Sequence, residues 1–151
     1  MMHSQAQLAL AAPGPEVEAL RDLFAELVDK PGVTSRLAAL LAGSDVRYDD
    51  GAEPPLSGFM VPDLDLDEGR RVVDLLHDAR PVLLDLSGGA AAATAAAWAD
   101  RVDVVTGAID DGPAAVLIRP DGYVAWAADT FDDGDIARLR ASLTRWFGVE
   151  A

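Results

Sequence analysis

The chain has 151 residues, room for one domain of ordinary size, and half of them are hydrophobic, so a packed core is expected rather than disorder. With 26 acidic against 12 basic side chains the net charge is −14, which argues against nucleic acid or an anionic membrane surface as partner. There is no cysteine, which removes disulfides, thiolate nucleophiles, iron–sulfur ligation and cysteine-bound zinc, and the two histidines, His3 and His77, form no metal-ligand pair.

The opening MMHSQAQLALAAPGPE has no basic region and only a short apolar stretch, Leu8 to Ala12, so no signal peptide is expected. No run reaches the roughly 18 apolar residues of a membrane span. The expectation is a cytoplasmic bacterial protein. Pro13-Gly14-Pro15 punctuates a first helix, in which Val17, Leu20, Phe24, Leu27 and Val28 recur at helical spacing. Lys30-Pro31-Gly32 stops it. A shorter helix follows, with Val33, Leu37, Leu40 and Leu41 on its apolar side and Gly43 past its end. Asp45 to Leu56 reads as a polar connection.

Beyond it, Phe59 to Leu66 reads as extended, and Asp67 as the cap of a helix running to about Ala79. Val82 to Leu86 is nearly all apolar, as in a central strand buried on both faces. Ser87-Gly88-Gly89 turns into an alanine-rich helix, Ala90 to about Ala99, and Val102 to Thr106 reads as a second strand, parallel to the first. Ala114 to Ile118 and Tyr123 to Ala128 are two strands around Arg119-Pro120-Asp121-Gly122, a type I turn with glycine at the positive-φ position. Thr130 or Asp132 caps a last helix whose stripe is Ile136, Leu139, Leu143 and Trp146, ending at Gly148.

This order predicts an α/β fold: a thioredoxin-like mixed sheet flanked by helices, preceded by an N-terminal helical arm. The expected division is 1–56 for arm and connection and 57–151 for the thioredoxin-like domain, the two packed as one unit.

Several strings carry a resemblance. They are Pro62-Asp63-Leu64, the run from Gly69-Arg70 through Leu75-Leu76-His77 to Arg80-Pro81-Val82-Leu83-Leu84-Asp85, and above all Val116-Leu117-Ile118-Arg119-Pro120-Asp121-Gly122-Tyr123-Val124-Ala125-Trp126. With Asp45-Val46-Arg47-Tyr48 in the arm, the chain resembles the C-terminal domain of the FAD-dependent aromatic-ring hydroxylases, especially the polyketide hydroxylases of actinobacteria, over about Leu8 to Phe147. The resemblance implies a thioredoxin-like domain without a thiol site, associated with monooxygenases of polyketide antibiotic biosynthesis. The family's GxGxxG fingerprint is missing from this chain, and Gly88-Gly89 lacks that spacing, so no flavin site and no catalytic residue carry over.

The expectation is therefore no cofactor, no metal and no catalysis by this chain alone. It would act by binding a partner, a second copy or an oxygenase, through Leu20, Phe24 and Leu27 on one face of the first long helix. The rival readings are a small-molecule protein holding a polyketide intermediate, with Trp98 as the ligand contact, and a fragment of a full-length hydroxylase. Other candidates read as structural. Ser87-Gly88-Gly89 stands where a thioredoxin carries its thiols and offers free amides to an anion. Asp63, Asp65 and Asp67 alternate like a calcium loop, but with the glycine one residue late. His77 lacks a visible partner for acid–base work. Protein produced in a host without related oxygenases should be colourless; flavin absorbance near one equivalent per chain would overturn the cofactor expectation.

Overall fold

The computed structural model describes residues 2–30, 32–44, 46–48, 56–109 and 112–150. They divide into two compact units, 1–46 and 47–151. The Tyr48 amide donates to the Gly58 carbonyl at 2.8 Å and Arg47 Nε to the Ser57 carbonyl at 2.9 Å, which ties these residues to the second unit. Most of the connection 45–56, and Asp110-Asp111, lie outside the described residues.

The first unit is three helices, α1 (Met2–Ala11), α2 (Pro15–Val28) and α3 (Val33–Ala42). Proline at the first turn of α2, with Glu16 and Glu18 beside it, suits the positive end of the helix dipole. Helix α1 was not expected, because its side chains show little apolar periodicity. It is held from outside: Arg21 of α2 donates from Nε to the Leu10 carbonyl and from Nη2 to the Ala12 carbonyl, both at 2.7 Å. These are carbonyls that a helix end leaves without partners.

The second unit is a four-stranded mixed sheet with helices, as expected. Its elements are β1 (Val82–Asp85), α4 (Ala90–Ala95), β2 (Asp103–Thr106), β3 (Ala115–Ile118), β4 (Val124–Ala128) and α5 (Asp133–Phe147). The strand order is β2-β1-β3-β4, with β1 parallel to β2 and antiparallel to β3, and β3 antiparallel to β4. Side chains alternate between two cores. Leu83 and Leu117 join Ala91, Ala95, Trp98, Leu139 and Leu143 under α4 and α5, whereas Val82, Leu84, Val116 and Ile118 meet Leu66 and Val72 on the other face.

Two expectations are corrected. The helix from Asp67 to Ala79 is instead two short 3-10 turns, Asp67–Gly69 and Val72–Leu76. Gly69 sits at φ +73 and Arg70 is extended, so the chain hooks back and the Leu66 amide reaches the Arg70 carbonyl at 2.7 Å. That hook drives Leu66 and Val72 into the core, which a straight helix would not do. The extended segment 59–66 forms no strand either, only single bridges from Met60 to Tyr123 and from Asp65 to Arg71.

The hairpin is as the turn residues predict. The Gly122 amide donates to the Arg119 carbonyl at 2.9 Å, and Gly122 lies at φ +81. A Cβ there would come no closer than 3.8 Å to the Leu76 side chain, so space is not the constraint. Gly122→Val should therefore lose about 1–3 kcal/mol from backbone strain alone. Gly122→Asn, which tolerates the left-handed region, should lose less. Chemical denaturation of both variants checks this, and equal losses would show that the backbone is not the cause.

Candidate functional site

The strand-to-helix turn after β1 is closed by its own carboxylate. Asp85 is 1% exposed. Its Oδ1 accepts from the Ser87 hydroxyl at 2.6 Å and the Ser87 amide at 2.9 Å, and its Oδ2 accepts from the Ala92 amide at 2.7 Å. Burial pushes this carboxyl up, but the hydrogen bonds from Ser87, Ala92 and Gly89 outweigh it and hold it below the ordinary carboxylate value. The Ser87 and Gly89 amides that an external anion would need thus already face an internal one.

The other sequence candidates are also absorbed by structure. Trp98 is fully buried between α4 and α5, and its Nε1 donates to the Gly148 carbonyl at 2.7 Å, beside Arg101 Nη1 on the Phe147 carbonyl at 2.8 Å. Trp98, the ligand contact of the small-molecule reading, thus serves with Arg101 to satisfy the end of α5. Asp63 and Asp65 face Arg71, and Asp67 pairs with Arg70 at 2.9 Å, so each carboxylate of the acidic alternation has an arginine beside it. The exposed His77 places Nδ1 2.9 Å from the Asp74 carbonyl, an ordinary local hydrogen bond. Among the described residues no three His, Asp or Glu side chains converge on a point that could hold a metal ion, and no helix is long and apolar enough to cross a membrane. Leu20, Phe24 and Leu27 of α2 are 46%, 37% and 43% exposed, and no residue of α2 is buried.

The tryptophan that does reach the surface is Trp146, 39% exposed. It was expected within the stripe of α5, but the stripe continues from Leu139 and Leu143 to Phe147, which packs on the core in its place. Trp146 borders a hollow of about 380 Å³ with Tyr48, Arg119, Arg145, Val124 and Ala125. The Arg119 guanidinium lies 4.4 Å from the indole centroid and that of Arg145 5.4 Å. Tyr48 stands edge-on to Tyr123 at 4.8 Å, and burial, Tyr48 and Asp121 together push the Tyr123 phenol above its ordinary pKa. A bulge builds the floor: Leu117 pairs with Trp126 and Ile118 with Val124, leaving Ala125 extra on β4. The signal for this site is faint in sequence. Arg119 sits in the hairpin string, but nothing there shows that it will meet Arg145 and Trp146.

The second unit is thus a mixed four-stranded sheet with helical cover, its strand-to-helix turn closed by Asp85. The profile of the aromatic-ring hydroxylase C-terminal domain matches residues 54–149, and the chain belongs to that family. It is 42% identical to anhydrotetracycline monooxygenase of Streptomyces rimosus, over all of this chain but 32% of the relative. Against a rifampicin monooxygenase of Streptomyces venezuelae the identity is 38%, over 97% of this chain and 29% of the relative. The solved structure of OxyS anhydrotetracycline hydroxylase from S. rimosus superposes with a TM-score of 0.77 at 42% identity, over 97% of this chain and 32% of that one. The chain thus spans about a third of the length of these relatives.

Asp85→Ala leaves the amides of the turn without their acceptor and should cost about 1–3 kcal/mol. A carboxyl with a lowered pKa in the folded state stabilises at pH above its unfolded value and loses that contribution as pH falls through the folded one. The stability gap between wild type and variant should then shrink below about pH 4. Denaturant titrations across that range test this; a gap that stays constant would show that the charge of Asp85 is immaterial.

Proposed function

We propose that this chain is a non-catalytic, thioredoxin-like accessory domain of an FAD-dependent monooxygenase acting on aromatic polyketides, and that it works by docking on the flavin-bearing part of such an enzyme. The observation that carries this is α2. Its apolar face, Leu20, Phe24 and Leu27, stays open in a helix with no buried residue. Amphipathic helices are stabilised by covering such a face. What would cover it follows from length, since the relatives continue well beyond the third that this chain spans. That same share favours the fragment reading as second choice, in which the contact is made within one longer polypeptide.

The absence of catalysis is supported by how the polar side chains are used. Asp85 closes a turn, Asp132 and Asp135 form a capping box on α5, and Arg101 caps its other end. None is left facing a cleft as an acid–base pair.

Tagged chain purified from its native host should retain a flavin-containing protein. Leu20→Asp combined with Phe24→Asp should lower that retention at least about tenfold, roughly 1.4 kcal/mol, with circular dichroism unchanged. Light scattering separates the alternatives: a homodimer dissolved by the double change would assign the face to a second copy. A wild-type monomer that retains no flavoprotein would overturn the docking role.

A further inference from the structure

The chain holds 26 acidic side chains against 12 lysines and arginines, yet two of its arginines converge on one exposed indole. Arg119 is preorganised. Its side chain is only 23% exposed, its Nη2 is engaged by Asp121, and its guanidinium carbon lies 4.4 Å from the Trp146 ring centroid and 5.9 Å from that of Tyr123. Guanidinium groups carry five N–H donors, so stacking on a ring and pairing with one carboxylate leave others to face the hollow. Arg145 has no ion-pair partner among the described residues and contacts the same indole. Tyr48, 63% exposed, also lines the hollow, as does the bulged Val124-Ala125 segment.

We propose that this hollow is a binding site for a planar aromatic anion, a fused-ring carboxylate in size and charge. Each part of the geometry selects one part of that ligand. Exposed indole and phenol faces take a flat ring. Arg145 and the free edge of Arg119 take the anionic group, as charge-assisted donors. Bare inorganic anions lack the ring, neutral aromatics lack the charge, and cations meet two guanidiniums. The volume of about 380 Å³ falls within the roughly 300–1,000 Å³ of small-molecule sites and suits a ligand of two fused rings. The site uses residues 48 to 146 and none of α2, so it stands apart from the docking reading, and either can fail alone.

The test is calorimetric titration of the full chain with 2-naphthoate and with its neutral counterpart 2-naphthamide. Indole N–H resonances are followed in parallel by NMR. The expected result is saturable one-to-one binding of naphthoate, with a Kd of about 1 mM or tighter, and at least about tenfold weaker binding of the amide. The Trp146 indole signal should move while those of the buried Trp98 and Trp126 stay. Arg145→Gln should weaken naphthoate about tenfold. Arg140→Gln, also on α5 but paired with Glu150 at 3.6 Å and outside the hollow, should leave it unchanged. No saturation up to the solubility limit, equal affinity for acid and amide, or equal effects of the two arginine substitutions would each overturn the assignment.

Discussion

Every side chain of β1 and β3 is buried, and strands buried on both faces cannot leave a backbone group or a polar side chain unanswered. The rest of the second unit follows from that constraint. One face is covered by α4 and α5 through Trp98, Leu139 and Leu143, and the other by the hook that carries Leu66 and Val72. The single charge admitted to this centre, Asp85, sits where β1 ends, and three groups on Ser87 and Ala92 satisfy it at once. Edge strand β4 must serve both cores, and the extra residue Ala125 turns Trp126 to one and Val124 to the other.

Among the described residues Trp126 Nε1 is buried without a hydrogen-bond partner, and two further features stand out at the surface. They are the open face of α2 in the first unit and the Arg119–Trp146–Arg145 cluster in the second. Both are large side chains that folding of their own unit does not hide. Large apolar or aromatic surface of this kind is what recognition uses.

Legibility in the sequence follows how local each cause is. The hairpin was readable because Pro120, Asp121 and Gly122 act within four residues. The same holds for α5, whose capping box joins Asp132 to Asp135. The hook at 64–76 is not, since it depends on a turn at Gly69 inside a segment that reads as helical. The tryptophans are less legible for a related reason. The partner of Trp98, the Gly148 carbonyl, is distant in sequence. Trp146 fitted a buried stripe as well as Phe147 does, and only the packing of α5 chooses between them.

The sequence by itself determined the α/β class, the order of its main strands and helices, the lack of any thiol chemistry and the family. These follow from periodicity, turn residues, composition and strings of neighbours, all of them properties of contiguous chain. Only the tertiary structure decided that Asp85 fills its own turn, that Trp98 is core and Trp146 surface, and that two arginines meet over one indole. Those outcomes depend on which residues, up to a third of the chain apart, are brought within hydrogen-bond or stacking distance by a sheet whose centre must be covered on both sides.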